Sequence, residues 1–380
     1  MQFFLSVLIR LPVTTADRLM EQPIEEGYLI LADISGYTSF LAETELDHAP
    51  AILRSILTLI VDRLTPTLDL AEVEGDAVFA YAPASYISRG ELLLELIEDT
   101  YRAFRDRRRT MERNVTCPCK ACQSISHLDL KFITHFGSYV LQDIMGTKKP
   151  VGTCVNLAHR LLKNDTGQAT GWRGYALFSE TSLSRMGVPP DGFFEAAENY
   201  EHVGPIRTLS LNLDERFRDA LENRRVVLAA EDADVSVTFD FSGPPPLVWD
   251  WLNDPHKRNA WMSGSSWNAS ARPKGRSGPG AQNHCKNSKI TEYILDWRPF
   301  GYLTVRLNRG IIDILVTDRL DPIDGGTRLC RRMRLEGSWP RWVLRPLMKQ
   351  ITARLMQPEK AFRTLNQLMV EAGTREEVLA

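Results

Sequence analysis

The stretch Leu31-Ala32-Asp33-Ile34-Ser35-Gly36-Tyr37-Thr38-Ser39-Phe40 decides how the first half of this chain folds. Its first residues complete an apolar run that begins at Gly27 and ends at Asp33, a pattern typical of a buried strand. Residues 35–39 are rich in the glycine, serine and threonine that favour a turn and cap the first turn of a helix. The sequence therefore predicts a buried strand, a loop and the beginning of a helix.

The elements that follow alternate between helix and strand patterns. Apolar residues from Ile52 to Leu64 recur at steps of three and four, which predicts an amphipathic helix that ends before Pro66. Residues 68–73 and 78–81 are β-rich and predict a hairpin around Gly75. A second amphipathic helix, further strands and a helix at 155–162 come next. This order predicts an α+β domain with a mainly antiparallel sheet.

Length and charge indicate two unlike halves. The 380 residues, 43% hydrophobic and 25% charged, suit two globular domains. The net charge of −2 is the sum of two unlike halves. Residues 1–213 carry 20 basic and 27 acidic side chains, a net charge of −7, whereas residues 214–380 carry 26 basic and 21 acidic side chains, a net charge of +5. We expect a first domain at 24–213, a helical linker at 214–230 and a second domain at 231–375, and the state of residues 1–23 is left open.

Neither a membrane span nor an export signal is expected. The apolar stretch at residues 3–9 is stopped by Arg10, and no run reaches the roughly 18 apolar residues that a bilayer crossing needs. Six cysteines in 380 residues, three of them clustered at 117–122 and three scattered, do not form a disulfide framework. A cytoplasmic protein that binds neither membrane nor nucleic acid is expected, since the arginine-rich run at 105–113 is typical of a solvated helix end.

Two acidic residues stand where catalysis would use them. Asp33 ends the buried strand and Asp76 lies in the hairpin turn. Carboxylates from adjacent strand ends can hold divalent cations, and the free amides of a helix start can bind phosphate. Spacing alone does not decide between this site and an ordinary cap with a turn aspartate.

Three local motifs together resemble the catalytic domain of class III nucleotidyl cyclases. They are the opening stretch, then Glu72-Val73-Glu74-Gly75-Asp76-Ala77-Val78, and then Gly152-Thr153-Cys154-Val155-Asn156-Leu157-Ala158-His159-Arg160-Leu161. They occur in the family's order on the expected elements. The resemblance covers about residues 24–212 and implies a ferredoxin-like cyclase-homology domain.

The resemblance implies a two-metal site. Asp33 and Asp76, with the carbonyl of Ile34, would hold two Mg²⁺ or Mn²⁺ ions. The backbone amides of Gly36, Tyr37 and Thr38 would meet the triphosphate of a nucleoside triphosphate. Such ions lower the pKa of the attacking ribose hydroxyl and stabilise the departing pyrophosphate.

The same resemblance implies that the site is shared within a homodimer. Asn156 would orient the ribose and Arg160 would bind the α-phosphate, both facing the metal site of the second subunit. Arg207 aligns loosely with a basic residue that touches the terminal phosphates.

The base-selecting positions depart from the family pattern. Glu72 stands where guanylyl cyclases have glutamate and adenylyl cyclases have lysine, but its partner position holds Lys149. A carboxylate beside an ammonium suits guanine better than adenine, and uracil stays open. The alternative is an ion pair between Glu72 and Lys149 that closes the base pocket.

A cysteine cluster lies between the second helix and the next strand. Cys117, Cys119, Cys122 and His127 would satisfy a tetrahedral zinc ion, but paired Cys-x-x-Cys knuckles are absent. Loop cysteines without a metal are the alternative.

The second half predicts a strand, a small helix, several antiparallel strands and one long terminal helix kinked at Pro358. The motif from Val248 to Pro255, then Trp261, Gly278-Pro279-Gly280 and residues 292–300 resemble the SRPBCC superfamily, the START-like or polyketide-cyclase-like helix-grip fold. Its curved sheet wrapped on the helix would hold an apolar small molecule. We expect Trp249, Trp251, Trp261 and Trp297 in the core.

These expectations combine into one functional hypothesis and two alternatives. The first is a nucleotidyl cyclase that forms a 3′,5′-cyclic nucleotide, with guanine favoured over adenine, modulated by a helix-grip sensor. The second is a degenerate cyclase-homology protein that binds a ligand or partner without turnover. The third is a helix-grip enzyme regulated by the first domain, which would need a titratable pair in its cavity.

Overall fold

The computed structural model describes residues 23–43, 49–87, 89–114, 124–144, 146–200, 204–222, 225–310, 312–336, 341–352 and 357–379. The predicted zinc ligands Cys117, Cys119 and Cys122 lie outside these residues. Among the described residues no helix is long and apolar enough to cross a membrane.

The first half folds around a mixed sheet. Its strands are β1 (Ile24–Ser35), β2 (Asp69–Glu74), β3 (Ala77–Pro83), β4 (Asp129–Ile144), β5 (Thr147–Val151), β6 (Tyr175–Ser179), β7 (Phe194–Tyr200) and β8 (Gly204–Asn212). The order is β2-β3-β1-β4-β6-β8-β7, and β5 pairs with β4. Pairing is antiparallel except between β4 and β6. The predicted ferredoxin-like α+β fold is confirmed.

Helices cover both faces of this sheet. They are α1 (Tyr37–Glu43), α2 (Ala49–Leu64), α3 (Gly90–Asn114), α4 (Thr153–Leu161), α5 (Thr166–Thr170), α6 (Glu180–Met186) and α7 (Leu213–Glu222). Successive residues of β1 enter opposite cores, since Ile30 packs with the α2 and α3 side whereas Leu29 and Leu31 pack with α4. This two-sided burial explains why β1 is a continuous apolar run rather than an alternating one.

The second half is a curved antiparallel sheet with a terminal helix. Its strands are β9 (Val235–Phe241), β10 (Trp267–Ala271), β11 (Gln282–Cys285), β12 (Ile290–Arg298), β13 (Tyr302–Arg309), β14 (Ile312–Ile323) and β15 (Gly326–Glu336), in the order β10-β11-β12-β13-β14-β15-β9. Its helices are α8 (Pro245–Asn253), α9 (Pro255–Trp261), α10 (Arg341–Ile351) and α11 (Pro358–Leu379). The predicted helix-grip architecture is confirmed.

The terminal helix differs from the prediction. The expected single helix kinked at Pro358 is wrong, because the structure has two separate helices and Pro358 is the first residue of α11. At that position the missing N–H of proline costs no helical hydrogen bond and its fixed φ favours helix initiation. Phe362 of α11 packs against the rings of Phe239 and Phe241 on β9.

The two sheets are joined through one stripe of glutamates on α3. Glu91, Glu95 and Glu98 follow at helical spacing and all bond residues of the second half. The amide of Ser277 donates to Glu91 at 3.1 Å, and Trp297 Nε1 donates to Glu95 at 3.0 Å. Arg276 donates to both oxygens of Glu98 at 2.8 and 2.9 Å.

Arg89 completes this interface. Its guanidinium contacts Glu91 at 2.9 Å and Glu95 at 2.8 Å, and reaches Asp250 of α8 at 3.0 Å. Burial by itself would raise the pKa of the Asp250 carboxyl, but the charges of Arg89 and Lys257 hold it below its usual value. A buried charge is tolerated only when it is paired and hydrogen-bonded, so these contacts depend on one another.

We therefore expect Arg89→Gln to lower the free energy of unfolding by about 3–5 kcal/mol, because Glu95 and Asp250 would stay buried with one cation fewer. Urea denaturation followed by circular dichroism measures this. Arg328→Gln is the control, since Arg328 pairs with Asp240 at the solvent-exposed surface. Equal midpoints for the two variants would contradict the structural role of Arg89.

Candidate functional site

The two predicted metal carboxylates lie side by side. Asp33 is paired opposite Ala77 in the β1–β3 register, one residue from Asp76 in the β2–β3 turn. The amide of Ile34 donates to the carbonyl of Asp76 at 3.2 Å, which ties the two segments together. Burial, and then the charge of Asp33, raise the pKa of the Asp76 carboxyl. A carboxylate whose pKa is raised by a neighbouring carboxylate belongs to a site that favours a cation.

The turn after β1 brings backbone close to this pair. Gly36 has φ +87°, and a Cβ there would lie 2.8 Å from the carbonyl oxygen of His127, so a side chain is excluded for two reasons. Tyr37 begins α1, and burial together with the charge of Asp76 raises the pKa of its phenol. Thr38 is exposed. The predicted phosphate-binding turn is thus beside the carboxylates.

Lys131 is a site residue that the sequence reasoning missed. Its Nζ lies 3.0 Å from Asp33 Oδ2 and 3.1 Å from the carbonyl oxygen of Leu162. The β1–β4 register places it directly opposite Asp33. The available signal was a lysine within an otherwise buried strand pattern, which requires a carboxylate on a neighbouring strand. The site therefore combines two carboxylates with one ammonium.

Helix α4 presents Asn156 and Arg160 outward. Its inner face is buried through Val155, Ala158 and Leu161, which pack on the α4 side of the sheet. Asn156 and Arg160 are both exposed. Residues four apart share one helix face, so both side chains lie on the exposed face of α4, and the shared site stays a prediction.

The base-selecting pair forms an ion pair within the chain. Lys149 Nζ on β5 lies 2.7 Å from Glu72 Oε2 on β2, and both side chains are about one-third exposed. The hydrogen bond from Lys149 lowers the pKa of Glu72, and the nearby His159 of α4 acts in the same direction. The structure therefore brings together the two residues that the sequence singled out.

Arg207 is held elsewhere. It lies on β8, and its guanidinium contacts Glu180 at 2.5 Å and Glu195 at 2.7 Å, with the side chain half exposed. Hydrogen bonds to Glu195 and Glu180 raise the pKa of the Arg207 guanidinium. Both partner carboxylates would have to release it before it could bind a phosphate.

The donor set fits a hard divalent cation that is completed by substrate. Within the described part of the chain, no group of three or more His, Cys, Asp or Glu side chains could hold a metal by itself. Mg²⁺ is commonly held by one or two carboxylates together with substrate phosphates and water. Asp33, Asp76 and the Ile34 carbonyl are oxygen donors of that kind.

The comparisons with known proteins differ between the halves. Residues 232–365 match the family model described as polyketide cyclase / dehydrase and lipid transport. Residues 53–170 match a family described as protein of unknown function, DUF2652. A curated relative, the uncharacterized protein Rv2561/Rv2562 of Mycobacterium tuberculosis, is 34% identical over 98 residues, or 26% of this chain. The match spans 45% of that relative's length.

Solved structures similar to the N-terminal half are nucleotidyl cyclases. A bacterial light-regulated adenylyl cyclase is 12% identical with a TM-score of 0.39, covering 54% of this chain and 60% of its own. The adenylyl cyclase CyaB from P. aeruginosa is 16% identical with a TM-score of 0.38, and the match covers 50% of this chain and 95% of CyaB. The guanylyl cyclase Cya2 is 17% identical with a TM-score of 0.37, and the match covers 50% of this chain and 92% of Cya2.

The second half has a cavity at the end of its helices. It has a volume of 600 Å³ and lies between β9 and the α10–α11 region, lined by the apolar side chains of Val235, Val237 and Pro358 together with polar and charged ones such as Lys349 and Arg363. The sheet interior is filled by aromatic side chains. Trp249, Trp261 and Trp297 are buried, which confirms their predicted core role, and Trp251 is partly buried against the same core.

We expect Asp76→Asn to weaken Mn²⁺ binding at least tenfold, because one of the two candidate carboxylate ligands becomes neutral. Electron paramagnetic resonance of free Mn²⁺ titrated with the nucleotide-free protein measures this. Asp324→Asn is the matched control, since Asp324 lies in the exposed β14–β15 turn. Unchanged Mn²⁺ affinity in Asp76→Asn would show that Asp76 is only a turn residue.

Proposed function

We propose that this protein is a nucleotidyl cyclase, which converts a nucleoside triphosphate to a 3′,5′-cyclic nucleotide and pyrophosphate. The observation that carries this proposal is the pair Asp33 and Asp76, held together at adjacent strand ends beside a phosphate-binding turn. We further propose that the two modules are residues 24–213 and 231–375, linked by 214–230, in a cytoplasmic protein.

In this proposal the acidic residues hold the cations, and the backbone amides and Lys131 contact the triphosphate. Asp33, Asp76 and the Ile34 carbonyl would hold two Mg²⁺ or Mn²⁺ ions, which, when bound, acidify the ribose hydroxyl and neutralise the triphosphate. The amides of Gly36, Tyr37 and Thr38 orient the triphosphate. A cation at Asp33 competes with Lys131, whose ammonium is then available for a phosphate oxygen.

The remaining contacts come from a second copy of the chain. We infer that Asn156, on the exposed face of α4, orients the ribose and that the Arg160 guanidinium binds the α-phosphate. A homodimer would have two such sites, and a monomer would lack the stabilising groups. Arg207 joins the terminal phosphates only if it leaves Glu180 and Glu195.

Base recognition requires the Glu72–Lys149 pair to open. Both side chains are partly exposed, so water can replace the lost contact and the opening costs little. Glu72 can then accept hydrogen bonds from the N1–H and 2-amino groups of guanine, and Lys149 can donate to O6. This arrangement favours GTP over ATP.

A second candidate function is ligand or partner binding without turnover. The closed Glu72–Lys149 pair and the neutralisation of Asp33 by Lys131 both favour it. In either case the second domain would be the sensor for an apolar small molecule, supported by its family match and by the 600 Å³ cavity.

Turnover is tested by incubating the dimeric full-length protein with Mn²⁺ and each of the four nucleoside triphosphates. We expect cyclic GMP as the main product, at least a hundredfold less with Asp33→Asn, and little change with Asp324→Asn. Chromatography with mass detection identifies the product. No cyclic product from any of the four would favour binding without turnover.

Base selectivity is tested by the double variant Glu72→Lys with Lys149→Asp. The pair keeps its opposite charges but exchanges their positions, so we expect the GTP/ATP ratio of kcat/KM to fall at least tenfold. Asp324→Lys, an exposed change in the β14–β15 turn of the second half, serves as control. An unchanged ratio in the double variant would exclude these residues as base-selecting groups.

A further inference from the structure

A groove runs along the boundary between the two halves, away from the carboxylate pair. One wall comes from α3 and α7, and the other from residues 273–279 and 295–299. Its main cavity has a volume of 370 Å³, and an adjoining cavity of 250 Å³ shares Arg102, Phe217 and Arg298 with it. The volume suits a small organic ligand, and domain boundaries are common places for such sites.

Arginine dominates the polar lining of this groove. Guanidinium groups come from both halves, namely Arg63, Arg102, Arg216, Arg225, Arg276 and Arg298. They face the four carboxylates of Glu98, Asp99, Asp219 and Asp296. The groove therefore carries a net positive charge, although the first half of the chain is acidic overall.

Three of the four carboxylates already have partners. Glu98 accepts two hydrogen bonds from Arg276. Asp99 contacts Arg63 at 3.0 Å and Arg102 at 2.9 Å. Asp296 accepts hydrogen bonds from the amides of Val226 and Trp297 and from the Tyr302 hydroxyl. These three carboxylates connect the two walls of the groove through their hydrogen bonds and ion pairs, and they have few acceptor positions left to pair with further arginines.

Three guanidinium groups keep unused donors. The nearest approach of Arg216 to a carboxylate is 4.0 Å, to Glu98. Nε of Arg298 is buried without a hydrogen-bond acceptor, although Asp296 lies 3.2 Å away. No carboxylate of the described residues lies within salt-bridge distance of Arg225. The buried Nε of Arg298 without an acceptor is costly, and an anion in the groove would supply one and would also pair with the more exposed Arg216 and Arg225.

The rest of the lining is apolar and aromatic. Phe217 and Trp297 are largely buried beside the groove, and Leu295 and Pro299 extend the same surface. We propose that this groove binds a small organic anion, whose phosphate or carboxylate group pairs with Arg216, Arg225 and Arg298 and whose apolar body lies against Phe217. Such a ligand would contact α7 and the second half at the same time and so strengthen their association.

Isothermal titration calorimetry of the full chain with 1-naphthyl phosphate, 1-naphthoate and inorganic phosphate tests the proposal. We expect saturable binding of at least one naphthyl compound, and the tighter of the two identifies a phosphate or a carboxylate ligand. Arg216→Gln and Arg225→Gln should each weaken it at least tenfold. Arg225 is exposed, so its variant remains informative if Arg216→Gln does not fold.

Arg319→Gln is the control, because Arg319 is exposed on β14 and pairs with Asp321 outside the groove. The affinity of the Arg319→Gln variant for the naphthyl compound should differ less than twofold from that of the unmodified protein. Absence of saturable binding for all three compounds, or equal losses in the control, would overturn the proposal. If inorganic phosphate bound as tightly as both naphthyl compounds, the claim that the ligand has an apolar body resting against Phe217 would be overturned.

Discussion

The two-sided burial of β1 is the constraint on which the rest of the first domain depends. Side chains of this strand enter both cores, and its backbone pairs with β3 on one side and β4 on the other. A slip of one residue would exchange the two faces along the whole strand, so the register is strongly determined. That register places Asp33 at the end of the strand, near Asp76 and opposite Lys131.

The second constraint is electrostatic and joins the domains. Helix α3 packs its apolar face on the sheet that carries the carboxylate pair, while its glutamate stripe bonds the second half. Each buried carboxylate there needs its arginine or indole partner, so the domain boundary is a specific interface rather than a loose contact. A ligand that alters this boundary acts on a helix that belongs both to the core of the first domain and to the interface.

Much of this arrangement was predictable because it is local. Asp33, Gly36 and Asp76 were singled out by strand-end and turn patterns, and the hairpin predicted around Gly75 joins β2 and β3. Lys131 was missed because its role depends on register with a strand almost a hundred residues earlier. The break before Pro358 was missed because apolar periodicity continues across it, and periodicity does not report where a backbone hydrogen bond is lost.

The sequence by itself determined the two fold classes, and its three motifs that resemble nucleotidyl cyclases singled out Asp33, Asp76, Asn156 and Arg160 as candidate site residues. Only the tertiary structure decided which charges meet. It paired Glu72 with Lys149, Asp33 with Lys131 and Arg207 with two glutamates, and it assembled the arginine groove from both halves. Electrostatic partners are set by distances of a few ångströms between elements remote in sequence, and residue patterns along one chain do not contain those distances.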